Sequence, residues 1–112
     1  MALVIEATSE PGPTGVPAIS IAHYAEQNGD LMRDPEMCFE LVNSSQGELS
    51  LSSFYFRNDY LGIEQYSRYV SEQDCIVLPD LHREHEHFAR VWDRNIHAQG
   101  FFEASNDKSI RG

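Results

Sequence analysis

The chain has 112 residues, of which 41% are apolar and 11% aromatic, so it can bury the core of one domain and is not expected to be disordered. It carries 18 acidic and 8 basic residues, a net charge of −10, and no basic stripe, which argues against direct nucleic-acid binding. No apolar run approaches the roughly 20 residues of a membrane span, and the first residues lack the basic region of a secretory signal. We therefore predict a cytoplasmic protein with one domain over residues 1–112.

Residues 1–17 are predicted to form a strand and a loop. Leu3 to Ala7 is a short apolar run. The ten residues from Thr8 to Pro17 contain three prolines and two glycines, which exclude a regular hydrogen-bonded ladder.

Residues 18–78 are predicted to form the sheet. From Ala18 the pattern has a period of two, which places Ile19, Ile21 and His23 on one face. Asn28-Gly29 is typical of a tight turn, and Asp34-Pro35 is interpreted as a second break. A strand follows, with Met37, Phe39 and Leu41 on one face. The two strands therefore predict an antiparallel hairpin with an elaborate polar loop.

The rest of this region is predicted to hold two longer strands and one short one. Glu48 to Arg57 alternates, which places Leu49, Leu51, Ser53 and Tyr55 on a common face. Asn58-Asp59 is interpreted as a two-residue turn before a strand from Tyr60 to Val70. Ser71 to Asp74 is predicted to be a loop, and Cys75 to Leu78 a short apolar segment.

Residues 79–99 are predicted to form a helix. Leu81, His85, Phe88, Trp92 and Ile96 recur at helical spacing, and Pro79 suits a helix start. We expect Gly100 to end the helix, Phe101-Phe102 to pack back on the core, and residues 103–112 to be a flexible tail. Asn95 and Gln99 are predicted to tie the helix to the hairpin loop. The predicted fold class is α+β, an antiparallel sheet of four to five strands with one C-terminal helix packed on one face.

Two cysteines are too few for a disulfide framework. Cys38 and Cys75 each lie in an apolar segment, so we interpret both as buried, reduced thiols.

The acidic segment from Glu26 to Glu36 allows three interpretations. It is a rigid, solvated hairpin loop in which Arg33 pairs with a neighbouring acid, a docking surface for a partner, or a set of oxygen ligands for a hard cation. The spacing does not match the calcium-loop pattern, which disfavours the last. The candidate partner-binding residues are Tyr24, Glu26, Asp30, Met32, Asp34 and Glu36.

The segment from His82 to His87 holds three histidines, His82, His85 and His87. Spacings of three and four residues allow a zinc clamp, but the metalloprotease pattern is absent because position 89 is alanine. His85 falls on the apolar helix face, which favours a structural role.

Nothing in the sequence marks a catalytic centre. The serines lack a nucleophile elbow, and no phosphate-binding loop or dinucleotide fingerprint is present. An acid–base couple of His23 with Glu64, or of His23 with Glu26 or Asp30, requires contacts that the sequence does not establish. No catalytic residue, metal site or cofactor is predicted. Whether the protein is an enzyme stays open, although the sequence favours a protein without catalytic activity.

Three blocks of sequence resemble a known family. They run from Ile19 to Met37, from Arg57 to Gly62, and, as a third block in two pieces, from Phe88 to Asn95 and from Gln99 to Phe101. Together they are similar to a family of short, uncharacterised bacterial proteins found on plasmids, integrative elements and prophages. The resemblance implies a small α+β domain in a mobile-element setting and brings no activity or cofactor with it.

This setting and the acidity favour a non-enzymatic interaction protein, an anti-defence inhibitor that acts on a host nucleoprotein complex. Its partner is then a protein, with a nucleic-acid-binding complex as the preferred class. Two alternatives stay open, a small metal-dependent or hydrolytic enzyme and a self-associating accessory module, including a homodimer.

Overall fold

The computed structural model describes the backbone of residues 2–99 and the side chains of residues 3–94. Within this range the chain forms seven strands followed by one helix. They are β1 Ala2–Ala7, β2 Ala18–Gln27, β3 Asp30–Asn43, β4 Leu49–Asn58, β5 Ile63–Tyr66, β6 Arg68–Ser71, β7 Asp74–Val77 and α1 Pro79–Gln99. The predicted helix bounds are therefore confirmed.

The first five strands form one antiparallel sheet in the order β1-β2-β3-β4-β5, so each strand pairs with its neighbour in sequence. Strands β6 and β7 form a separate two-stranded hairpin. The α+β class with a five-stranded antiparallel sheet and a C-terminal helix is confirmed. The second, smaller sheet was not predicted.

The β2–β3 connection is a tight hairpin, and the predicted elaborate loop is wrong. Asn28 and Gly29 have φ angles of 53° and 87°, as a two-residue primed turn requires. Strand β3 therefore begins at Asp30 and runs through Asp34-Pro35, where a break was predicted. The register shifts opposite His23, so the proline lies in a bulge, where no ladder hydrogen bond requires its missing N–H.

A second bulge, in β4, changes which side chains share a face. Cys38 lies opposite Tyr55 while Phe39 lies opposite Ser53, so Phe54 is an extra residue between them. Tyr55 and Ser53 consequently point to different faces, although simple alternation placed them together. A single inserted residue reverses the pattern beyond it.

The predicted single strand from Tyr60 to Val70 is also wrong. Residues 59–62 form a four-residue turn, longer than the predicted Asn58-Asp59 turn. The chain then leaves the main sheet at Ser67, which separates β5 from β6. The N–H of Ser67 donates to the Phe54 carbonyl at 3.0 Å, and its carbonyl accepts from the Leu78 N–H at 2.8 Å. These two bonds direct β6 into a different sheet.

The hydrophobic core lies between α1 and one face of the main sheet, which we call the helix-packed face. Met37, Phe39 and Trp92 are buried at its centre. The predicted inward positions of His85 and Trp92 are confirmed, whereas Phe88 packs edge-on against Phe56 and stays 37% exposed. The core is completed by Leu3, Ile19, Ile21, Phe56 and Ala89.

Several predictions fall outside the described residues. They concern the side chains of Asn95, Ile96 and Gln99, and the whole of Gly100, Phe101-Phe102 and residues 103–112.

Both cysteines are free, but only Cys38 is part-buried. Cys75 is exposed on β7, so its predicted burial is wrong. The hairpin β6–β7 stands apart from the core that α1 covers, and apolar patterning alone could not show this. In the described part of the chain, α1 is too polar to cross a membrane.

Candidate functional site

The face of the main sheet opposite α1, which we call the open face, carries two adjacent rows of side chains. Antiparallel register places directly paired residues on the same face, so the rows follow from the strand pairing. The first row is Ser20, Cys38, Tyr55 and Tyr66, and the second is Ala22, Glu36, Arg57 and Glu64.

Hydrogen bonds join the two rows. The Ser20 hydroxyl donates to Glu36 Oε2 at 2.7 Å, and the Tyr55 hydroxyl donates to Glu64 Oε2 at 2.6 Å. Arg57 Nη1 lies 3.6 Å from the same Glu64 oxygen. Each of these carboxylates is therefore oriented before any ligand arrives.

Asp59 fixes the β2–β3 hairpin to the turn after β4. It accepts the Arg33 N–H at 2.7 Å and Arg57 Nε at 2.8 Å, and its own N–H donates to the Arg33 carbonyl at 2.9 Å. The backbone bond from Arg33 and the bond from Arg57 outweigh desolvation and lower the pKa of Asp59. Arg33 Nε also lies 3.3 Å from Glu36 Oε1, which confirms the predicted pairing of Arg33 with a neighbouring acid.

A cleft of about 500 Å³ lies over the open face. One wall is formed by residues 8–13 of the proline-rich segment, which runs from Thr8 to Pro17, and another is β6. The remaining lining comes from Glu36, Cys38, Phe54, Tyr55 and Tyr66. Tyr66 is 50% exposed and packs against the buried Tyr55, with the ring centroids 4.8 Å apart and the rings tilted by 56°, so an aromatic surface is open to a ligand.

A buried ion pair holds these walls together. Glu40 is 1% exposed and accepts bonds at 2.9 Å from the Thr14 N–H, at 2.5 Å from the Thr14 hydroxyl and at 2.5 Å from Arg68 Nη1. Burial alone raises the pKa of Glu40, but the bonds from Thr14 and Arg68 outweigh it and hold that pKa below its ordinary value. Glu40 is therefore an ionised, fully engaged structural group.

Arg68 and Gly12 complete this attachment. Arg68 Nε and Nη2 donate to the carbonyls of Ser53 and Ser52 at 3.2 and 3.1 Å. Gly12 packs so closely on Glu40 that an added Cβ would overlap the Glu40 side chain. The pair thus ties the proline-rich segment, β3, β4 and β6 into one rigid frame around the cleft.

Two titratable groups in the cleft have pKa values moved away from neutrality. Burial, together with the nearby Glu36 carboxylate, raises the pKa of Cys38 to about 11. Burial and the bond to Glu64 raise the pKa of Tyr55. Neither group loses a proton near pH 7, so neither is a ready nucleophile or general base there.

The six predicted partner-binding residues are divided between four places. Glu36 lines the cleft, whereas Glu26 and Asp30 are exposed at the hairpin tip. Asp34 Oδ1 accepts a bond from Asn58 Nδ2 at 2.9 Å. Tyr24 and Met32 are half-buried on the β2–β3 hairpin. Their role in binding stays a prediction.

His85 is integrated into the core. It is 4% exposed, stacks on Phe56 at 5.4 Å, and its Nε2 lies 2.9 Å from Gln65 Oε1. Burial lowers its pKa, so the neutral ring is favoured. His82 Nε2 lies 3.4 Å from Glu86 Oε1, and no group of three metal-ligating side chains occurs within residues 3–94.

The considered couple of His23 with Glu64 does not form. His23 is buried on the helix-packed face, 6.3 Å from Trp92 between ring centroids, and Glu64 lies on the open face. Burial lowers the pKa of His23.

The buried pair of Glu40 and Arg68 that frames the cleft was missed from the sequence, whereas the lining residue Glu36 was among the predicted partner-binding residues. Glu40, a carboxylate within the apolar run from Met37 to Val42, was the available signal, because a buried charge requires a partner. Its partner Arg68 is 28 residues away, and Thr14 is 26 residues away. No local pattern connects them.

The fold and the cleft define a small α+β domain with one face closed by a helix and the other open and polar. Residues 1–102 match the family described as a domain of unknown function, DUF6908. The chain therefore belongs to that family. No curated protein and no solved structure is detectably similar to it.

Proposed function

We propose that this domain is a non-enzymatic interaction protein, and that the cleft binds a basic segment of a partner protein. The observation that carries the proposal is the cleft itself, which is walled, rigidly framed and lined by aromatic rings beside an oriented carboxylate. Tyrosines supply large contact area at low entropic cost and attract cations to their faces.

The chemistry of the cleft supports binding over catalysis. Catalytic acids and bases are tuned towards the working pH, whereas the thiol of Cys38 and the phenol of Tyr55 are both shifted away from it. The Tyr55 hydroxyl is already committed to Glu64, and the Ser20 hydroxyl to Glu36. The two hydroxyl groups therefore fix the side-chain positions of the open face.

The charge of the protein supports a basic partner. A net charge of −10 creates a field that accelerates the encounter with a cationic surface. Glu36 lines the cleft, and Glu26 and Asp30 add exposed negative charge at the hairpin tip. An arginine or lysine side chain of the partner is expected to lie against Tyr66 with its charge directed to Glu36.

The finer proposal is that the partner belongs to a host nucleoprotein complex, and that the protein is an anti-defence inhibitor encoded by a mobile genetic element. The acidic surface would then occupy a basic groove that otherwise holds nucleic acid. The support for this step is the net charge and the resemblance to mobile-element proteins.

Fluorescence anisotropy with two labelled peptides tests the basic-segment proposal. One peptide is rich in arginine and lysine, and its counterpart carries glutamate at the same positions. We expect only the basic peptide to bind, with affinity falling as salt rises. Tyr66→Ala should weaken binding about tenfold, in the range of an aromatic contact residue.

Matched variants make the test specific. Tyr60 is a similarly exposed tyrosine outside the cleft, so Tyr60→Ala should bind like the wild type. Glu36→Gln should weaken binding, whereas Glu48→Gln should not. Equal effects of Tyr66→Ala and Tyr60→Ala, or no binding of the basic peptide, would overturn the proposal. Capture from host lysate with nuclease, compared between wild type and Tyr66→Ala, then tests the nucleoprotein step.

A further inference from the structure

We propose that two copies of this chain join through the outer edge of β1, so that their five-stranded sheets form one continuous ten-stranded sheet. Among the described residues, β1 pairs on one side with β2, and no described strand lies along its other side. Its other side offers backbone N–H and C=O groups to a further strand.

The composition of β1 leaves this edge unprotected. Edge strands are normally blocked by charges, prolines or short length. Strand β1 has six residues, Glu6 is its only charged residue, and Ile5 is 48% exposed. The opposite edge, β5, has four residues and includes the charged Glu64. The β1 edge is therefore the better template for pairing.

The sequence of β1 is complementary to itself in one antiparallel register. When a twofold axis passes midway between the Val4 residues of the two copies, Leu3 lies opposite Ile5 of the second copy and Val4 lies opposite Val4. Glu6 then lies opposite position 2 of the second copy, so the two carboxylates do not face each other. This self-complementarity identifies a second copy as the occupant.

An apolar groove beside the edge supports this register. It has a volume of about 370 Å³ and lies on the helix-packed face, between α1 and the sheet. Leu3 and Ile5 line it, together with Phe39 and Trp92. Because cross-strand pairs share a face, the proposed register places Leu3 and Ile5 of the second copy at the mouth of this groove. Pairing would therefore extend the apolar layer from one copy to the next.

The charge of the protein predicts the salt dependence of this association. Each copy carries −10, so the two repel each other at low ionic strength and the dimer should strengthen as salt is added. Binding of a basic segment in the cleft should weaken with salt. The two proposals are thus distinguishable, and either can fail alone.

Sedimentation velocity of the full chain tests the dimer. Across about 1 µM to 1 mM, the range of weak associations, we expect a mass rising from 12.8 kDa towards twice that value, more so at high salt. Ile5→Lys should remain monomeric, because dimerisation would bring one lysine ammonium group from each copy into the apolar layer between the paired β1 strands. Leu31→Lys, at the most exposed large apolar residue of the described part of the chain, should dimerise like the wild type.

Cysteine cross-linking tests the register. In a Cys38→Ser/Cys75→Ser background, Val4→Cys should form an intermolecular disulfide, because directly opposed Cβ atoms lie about 5 Å apart. Glu6→Cys should not, because in this register the two positions are about 13 Å apart along the strand. A monomer at every concentration and salt, or equal cross-linking at positions 4 and 6, would overturn the proposal.

Discussion

Replacing Arg68 with methionine should destabilise the domain by about 3–5 kcal/mol, because it leaves a buried carboxylate without its cation. Arg68 supplies one of the three short bonds to Glu40, and Glu40 is 1% exposed. The substitution also removes the donors to the Ser52 and Ser53 carbonyls. The proline-rich wall of the cleft depends on the same carboxylate through Thr14.

The part of the stability loss that comes from the unpaired Glu40 carboxylate has an upper limit, because Glu40 can bind a proton and become neutral. From an ordinary carboxyl pKa of 4.5, this costs about 1.4 kcal/mol for each pH unit, hence about 3.4 kcal/mol at pH 7. The stability loss of Arg68→Met should therefore shrink as the pH falls from 7 towards 5. In the wild type, whose Glu40 pKa is lowered, the stabilisation from Glu40 is present above pH 4.5 and is lost below it.

Urea unfolding of both proteins measures this effect. With a slope of about 1.5 kcal/mol per molar, a loss of 3 kcal/mol lowers the midpoint by about 2 M. Glu40→Gln/Arg68→Met should lose less than Arg68→Met, because no buried charge remains. Arg83→Met breaks an exposed pair with Asp80 and should cost less than about 1 kcal/mol. A loss under about 1 kcal/mol for Arg68→Met, or one that does not depend on pH, would refute the reasoning.

Three further predictions concern packing, protonation and thiol chemistry. Gly12→Ala should cost about 1–3 kcal/mol in urea unfolding, because its Cβ overlaps Glu40, and a wild-type midpoint would contradict the close approach. Burial lowers the pKa of His85, so stability should fall as the pH drops below 6.5, and His85→Gln should make that part of the stability profile less steep, leaving the contribution of buried His23. With a thiol reagent at pH 8, exposed Cys75 should react fast and Cys38 slowly, since burial raises the Cys38 pKa to about 11. Cys75→Ser should remove the fast phase, and a fast phase that persists would show Cys38 to be accessible.

Local sequence patterns determined the elements with strong periodicity. The four-and-three spacing through His85, Phe88 and Trp92 fixed the helix and the face it packs, because a helix repeats every 3.6 residues. Asn28-Gly29 fixed the hairpin, because these residues accept positive φ angles.

Only the tertiary structure decided the faces beyond the bulges and the composition of the cleft. A bulge is a response to the neighbouring strand, so the alternation in β4 gives no sign of the extra residue Phe54. In β3, Asp34-Pro35 marks an irregularity but does not show that the strand continues through it as a bulge opposite His23. Ser67 ends β5 through bonds to residues 11 and 13 positions away. Glu40, Arg68 and Thr14 meet only after β3, β6 and the proline-rich segment have folded together, because each needs a charge or donor that another part of the chain supplies.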